Sequence, residues 1–291
     1  MRCLFMALLT SVVAAMLIIG PGCSRSITIR DDVERRSRSG VYFEATGKGP
    51  PVILLHGGQM DRRIWDEQVA LLSPTHRVIR CDLRGYGRTG WPTTPFAHWR
   101  DVDALMDELG VTSADVVGLS LGGQAATDLS LMRPQRVRRL VLVAPGMGGF
   151  DWSADAWKEM PPILAAARDG NADRVAELWL NAGMMRAARD NPHCRDRIRF
   201  LSRENVSCWL ANPLLECDLD PPAAARLREI RARTLVIVGD RDVPDMQRIA
   251  TKIEAEVPGA RRIVIPGAGH IVNMEAPETF NRELVAFLDA P

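Results

Sequence analysis

Short runs rich in Val, Ile and Leu recur along the chain with an amphipathic stretch between each and the next, and this alternation constrains the fold more than any other feature. The runs are Val41–Ala45 and Val52–Leu55, flanking a Gly47-Lys48-Gly49-Pro50 turn, then Arg77–Leu83, Asp115–Gly118, Leu140–Val143, Thr234–Val238 and Arg262–Ile265. The later runs are continuously apolar rather than alternating, as strands covered on both faces of a parallel sheet must be. The stretches between them, Ile64–Leu72, Trp99–Leu109, Leu121–Met132, Asp245–Glu256 and Pro277–Leu288, are amphipathic and long enough for helices. Parallel neighbours need such crossovers, which are right-handed and place helices on both faces. The expected fold class is α/β, with a doubly wound, mostly parallel sheet.

One stretch breaks the rhythm. Residues 146–219 contain no convincing strand, only helical segments such as Ala172–Met185 and Arg195–Arg203. They read as a helical cap between two parts of a core, 41–145 and 220–291. A chain of 291 residues has room for one α/β domain with such an insertion. Inserted between core strands, the cap is expected over the strand ends where ligands bind. Trp152, Trp157, Trp179 and Trp209, with Met160, Met184 and Met185, fall within it. Most of these side chains are expected to hold the insertion together, and a few to face the site below.

Lys and Arg number 37 against 36 Asp and Glu, so no basic excess points to a nucleic-acid partner. The first 22 residues are set apart. A charged start is followed by an uncharged apolar stretch from Cys3 to Gly20, the pattern of an export signal. It ends in Gly20-Pro21-Gly22-Cys23-Ser24, which resembles a bacterial lipoprotein signal, implying cleavage before Cys23, its lipidation and membrane attachment through that lipid; an ordinary secretory signal, giving a periplasmic or extracellular protein, and an uncleaved anchor are the alternatives. Residues 23–40, polar and charge-mixed, read as a tether leading into a first edge strand. In an exported protein, two of Cys194, Cys208 and Cys217 can pair, but three cysteines leave the pairing open. Cys81, in an apolar run, reads as a packed thiol. No CxxC spacing points to zinc, and no metal is expected.

The chemistry begins at Gly118-Leu119-Ser120-Leu121-Gly122, which follows a strand and opens a helix. Such a turn forces its central residue into strained backbone geometry and lifts the side chain clear, while the helix N-terminus favours developing negative charge. Ser120 is the candidate nucleophile, and serine needs a base because its hydroxyl is hardly ionised at neutral pH. His270 falls in a glycine-rich loop just after the last core run and is the candidate base. His56, His76, His98 and His193 read as structural or solvated. The base in turn needs a carboxylate to orient it. Asp240 and Asp242 both end the Thr234–Val238 strand and spacing hardly separates them; Asp151 is a third candidate. For the oxyanion, Gly57-Gly58 after Val52–Leu55 and the backbone N–H of Leu121 are the candidate donors.

Together the His56-Gly57-Gly58 loop, the Asp82–Thr89 loop, the Gly118–Gly123 elbow, Gly239-Asp240-Arg241-Asp242 and Gly267-Ala268-Gly269-His270 resemble the α/β-hydrolase superfamily, in its order and from Val41 onward. The resemblance implies that Asp242 is the triad acid, with Asp240 capping the turn, and that Gly58 and Leu121 form the oxyanion hole. It implies a structural Asp82–Thr89 loop braced by Asp82 and Arg84, and Glu275 reads as the start of the last helix. The elbow and single cap are similar to those of enol-lactonases and small carboxylesterases. Serine at the elbow disfavours the aspartate-nucleophile branches, and no Trp follows it as in proline iminopeptidases. The implied activity is cofactor-free hydrolysis of a small ester or lactone with an apolar portion. C–C bond hydrolysis, thioester cleavage, acyl transfer or perhydrolysis on the same triad are the alternatives, and a non-catalytic hydrolase-like binding protein is a rival of another class.

Overall fold

Every apolar run becomes a strand in the computed structural model, which describes residues 33–210 and 215–290. The export-signal reading, Cys3 and Cys23 lie outside the described residues. The strands are β1 (Val33–Arg36), β2 (Tyr42–Thr46), β3 (Pro51–Leu55), β4 (Arg77–Cys81), β5 (Ala114–Leu119), β6 (Val137–Val143), β7 (Arg233–Gly239) and β8 (Arg261–Ile265). The helices are α1 (Asp66–Leu72), α2 (His98–Glu108), α3 (Leu121–Met132), α4 (Met160–Arg168), α5 (Ala172–Asn181), α6 (Arg186–Asp190), α7 (Pro192–Glu204), α8 (Pro244–Glu256), α9 (Val272–Glu275) and α10 (Pro277–Leu288). Helices α4–α7 fall between β6 and β7, within the strandless stretch.

The strands form one sheet in the order β1-β2-β4-β3-β5-β6-β7-β8. From β4 to β8 all neighbours are parallel, and β1 and β2 pair antiparallel at one edge. The chain leaves β3 for β4 on one side and returns for β5 on the other. The order of connection therefore reverses between β3 and β5, and open α/β sheets bind ligands beyond the carboxyl ends of the strands at such a point. The segments that emerge there are Gly57-Gly58 after β3 and Ser120 after β5.

β1 is a correction to the tether reading of residues 23–40. Its charged sequence, Val33-Glu34-Arg35-Arg36, lacks the apolar signal of a core strand, yet its backbone pairs with β2, Arg35 opposite Phe43. An edge strand has only one neighbour, and charge on it discourages pairing with another chain.

Under the site the core leaves no slack. All six residues of β5 are buried, as are Gly122, Gly123, Ala125 and Ala126 on α3. A Cβ on Gly118 would fall inside the backbone of Gly122, and one on Gly122 would strike the Leu55 carbonyl and come within 2.7 Å of that of His56. Backbone cannot swing aside as a flexible side chain can. Gly122→Ala is therefore expected to cost about 1–3 kcal/mol, lowering the melting temperature by several degrees and slowing reaction at Ser120 as α3 is pushed off the β3 loop. Thermal denaturation checks the first effect and the rate of fluorophosphonate labelling the second.

Candidate active site

Ser120 sits between β5 and α3 with φ +53° and ψ −112°, a region that non-glycine residues rarely occupy. Three backbone hydrogen bonds over-determine it. Its N–H donates to Val143 O at 3.0 Å, and its carbonyl accepts from Gln124 N at 3.0 Å and Gly146 N at 2.9 Å. Strain of this kind persists only where the surroundings enforce it. The hydroxyl does not cap α3, so it is free to face outward, and Ser120 lines a cavity of about 690 Å³.

Two strands along, β7 runs out into Asp242, and β8 into the loop bearing His270. Asp242 Oδ2 lies 3.0 Å from His270 Nδ1, with the carboxylate at 0% and the imidazole at 2% side-chain exposure. The second carboxylate oxygen accepts the Val243 N–H at 2.8 Å. The structure thus separates the two aspartates that spacing left equal. Asp240 instead accepts the Gly267 N–H at 2.7 Å and ties the turn. Asp151 is exposed, and its carbonyl takes a hydrogen bond from Arg248. Among the described residues no hydrogen bond joins the Ser120 hydroxyl to His270; catalytic hydrogen bonds commonly close only once substrate is bound.

Gly58 and Leu121 line the same cavity as Ser120. The N–H of Leu121 is among the first of α3 and has no acceptor within the helix. A Cβ on Gly57 would come within 2.5 Å of Leu119 Cδ2 and force that side chain to shift, whereas at Gly58 the nearest atom would be the Tyr86 hydroxyl at 3.6 Å. His56 holds this loop. Its Nε2 accepts the Leu83 N–H at 2.8 Å, which leaves Nδ1–H to donate to Gly57 O at 2.7 Å. Burial pushes its pKa down, so the ring is neutral and structural, as expected from the sequence. The neighbouring Asp82–Thr89 loop is braced as the resemblance implied: Asp82 pairs with Arg62 at 3.0 Å and Arg84 with Asp101 at 2.5 Å.

Glu275 is the residue that sequence reasoning misplaced. It does not open the last helix but ends α9, and its carboxylate accepts the Gly269 N–H and, at 3.3 Å, the Ile271 N–H. Both amides flanking His270 are thus gripped by one half-buried side chain whose pKa burial pushes up. An isolated charge following Ile271-Val272-Asn273-Met274 was the signal available. Glu275→Gln turns a carboxamide NH₂ toward one of the two donors, costing about 1–3 kcal/mol. A lower kcat at unchanged KM is the expected kinetic result, with melting temperature measured in parallel. Equal kcat for the two proteins would show that the grip does not matter to the reaction.

The cap supplies the cavity's upper wall. Trp152, Trp157, Trp179, Trp209, Met160 and Met184 all line it, and Met185 alone of the seven Trp and Met singled out is fully buried away from it. Five of the seven, Trp179, Met185, Met160, Met184 and Trp209, pack in or against the hydrophobic core, as expected, but six rather than a few also present surface to the cavity. The tryptophans pair edge to face or tilted, Trp179 with Trp209 at 5.4 Å and Trp152 with Trp157 at 5.2 Å. The question of a disulfide is answered too. Cys194, Cys208 and Cys217 are free thiols on separate elements, and burial pushes Cys194 and Cys208 up to about 12, far from thiolate chemistry.

The chain is 27% identical, over 91% of its length and 96% of the relative's, to a 2-hydroxy-6-oxononadienedioate/2-hydroxy-6-oxononatrienedioate hydrolase of Comamonas testosteroni. It is 29% identical, over 82% of its length and 96% of the relative's, to a pimeloyl-[acyl-carrier protein] methyl ester esterase of Nitrosomonas europaea. The crystal structure of the enol-lactonase from Burkholderia xenovorans superposes with a TM-score of 0.70 at 25% identity, covering 89% of this chain and 100% of that one. The model of the alpha/beta hydrolase family matches residues 52–283, which run from β3 through α10 and include the elbow, Asp242 and His270. The chain belongs to the alpha/beta hydrolase family.

Proposed function

We propose that this protein is a serine hydrolase that cleaves a carboxylic ester or lactone through an acyl-enzyme on Ser120. The observation that carries the reading is the buried Asp242–His270 pair at 3.0 Å, on the same sheet edge as a strained serine that opens into a large cavity. Asp242 accepts a hydrogen bond from His270 Nδ1–H, which keeps its proton, and so leaves Nε2 free to act as the base. His270 takes the Ser120 proton as the hydroxyl attacks the substrate carbonyl. The carbonyl oxygen becomes an anion, which the N–H groups of Gly58 and Leu121 receive; such a donor is worth about 3 kcal/mol in comparable sites. His270 then gives the proton to the departing alcohol, and the cycle repeats with water on the acyl-enzyme. In a lactone the leaving oxygen stays tethered to the acyl group, and the same steps open the ring. No step requires a metal or an organic cofactor.

A fluorophosphonate probe tests the reading directly. Modification mapped by mass spectrometry to Ser120, with turnover of p-nitrophenyl butyrate and of a small lactone, is the expected outcome. Modification elsewhere with Ser120 untouched would overturn it.

A further inference from the structure

The charge and aromatic content of the cavity bear on which substrates it takes. Among the described residues its lining includes three carboxylates, Asp155, Glu159 and Asp245, one ammonium, Lys158, and no arginine. Lys158 pairs with Asp155 at 3.4 Å, and Asp245 is held by Arg248 and by the Ser153 hydroxyl at 2.7 Å. Among the described residues Glu159 has no cation partner, and its carboxylate accepts the Gly183 N–H at 2.9 Å. That hydrogen bond fixes the carboxylate at the wall without neutralising it, and Gly183 itself lines the cavity.

The two tryptophan pairs line the same cavity as this unmatched charge. The indole Nε1 atoms of Trp179 and Trp209 are buried and make no hydrogen bond. What these rings offer the cavity is therefore carbon and π-surface rather than N–H. Aromatic faces carry negative potential and attract cations, quaternary ammonium groups above all, and tryptophan does so most strongly. A carboxylate entering the same space would meet Glu159 and the ring faces with no guanidinium to receive it, whereas carboxylate recognition relies on such forks.

We propose that, within the serine-hydrolase reading on which this rests, the cavity selects substrates whose unreacting group is cationic, of the trimethylammonium type, over neutral ones of the same shape, and both over carboxylates. The Comamonas relative is a hydrolase of dioates; this chain is expected to reject that class of substrate. A single half-exposed carboxylate within several ångströms of the bound charge supports a preference of about tenfold at each step.

The experiment uses two matched sets of substrates. Charge on the leaving side is varied with butyrylthiocholine, its neutral isostere 3,3-dimethylbutyl thiobutyrate, and S-(2-carboxyethyl) thiobutyrate, each followed by thiol release. Charge on the acyl side is varied with the p-nitrophenyl esters of 4-trimethylammoniobutyrate and 5,5-dimethylhexanoate and with mono-p-nitrophenyl glutarate. In at least one set, kcat/KM is expected to fall about tenfold from cation to neutral and about tenfold again to carboxylate. Glu159→Gln keeps an acceptor for Gly183 while removing the charge. It should shrink the cation-to-neutral ratio at least threefold, and because the ratio is taken within each protein, a general loss of activity cancels. Raising the ionic strength should shrink the ratio in the wild type. Parity of cation and neutral in both sets, preference for the carboxylate, or a ratio indifferent to Glu159→Gln overturns the proposal. If the fluorophosphonate still modifies Ser120 in that case, only the substrate preference has failed; if Ser120 is not modified and no substrate is cleaved, the hydrolase reading has failed with it.

Discussion

Ser120→Ala is expected to abolish fluorophosphonate modification and to lower kcat for ester hydrolysis by about 10⁶-fold, leaving only the small residual rate that the oxyanion hole and substrate binding supply. The size of the effect follows from what the hydroxyl does: without it no acyl-enzyme forms, and the oxyanion donors and the bound geometry can assist only a direct attack by water. The folded state should be indifferent to the change. The hydroxyl does not cap α3, and the strained φ of +53° is imposed by backbone hydrogen bonds that alanine retains. Alanine tolerates that φ no worse than serine. A melting temperature within a degree or two of the wild type, alongside the loss of all but that residual turnover, is therefore the expected pair of results. Turnover that persisted above that residue in a homogeneous preparation of the variant would remove Ser120 from the mechanism.

Asp242→Asn is expected to lower kcat by about 10⁴-fold near neutral pH, with little change in KM. The amide fills the same volume, and its oxygen can still accept the Val243 N–H that Oδ1 now takes at 2.8 Å. Its NH₂ then faces His270 Nδ1 where a carboxylate oxygen stood, so Nδ1 becomes the acceptor and the proton moves to Nε2. The imidazole is left in the tautomer that cannot take a proton from serine, and the imidazolium formed during attack loses its counter-charge. Asp240→Asn supplies the contrast. Asp240 holds only the Gly267 N–H, at an exposed position, so a change of a few-fold at most is expected. Steady-state kinetics of the two variants side by side decide which aspartate serves the histidine, and a comparable loss in Asp240→Asn would contradict the assignment.

The legibility of this chain in its sequence was uneven, for reasons that can be traced to particular residues. The parallel strands were readable because burial on both faces favours runs of Val, Ile and Leu, as at Val116-Val117 in β5 and Leu235–Val238 in β7. β1 was not, because an edge strand of Glu and Arg looks like solvated chain until its partner is known. Ser120 was legible because the close approach of β5, α3 and β3 demands glycine at 118 and 122, and that demand is written as a pattern. The choice between Asp240 and Asp242 was invisible to spacing, since two residues on one turn differ only in the direction each points. Glu275 was missed for a related cause: its role lies in two backbone amides, which carry no residue identity. The tryptophans were recognised as a group, yet periodicity in an insertion says which residues share a face and not what that face looks upon.

The stretch from Trp152 to Glu159 contributes heavily to the cavity wall, and none of its residues is fully buried. The elbow, by contrast, lies on backbone contacts that admit not even a methyl group. Tolerance to mutation is accordingly divided along the chain. Surface positions away from such packing usually shift stability by less than about 0.5 kcal/mol, so replacements in this stretch can accumulate without threatening the fold. An ancestral population could drift through many wall compositions, each with its own preferred ligand, while the hydrolytic centre stayed frozen. Laboratory evolution for new selectivity is best aimed there, with libraries that leave the glycines of the elbow alone.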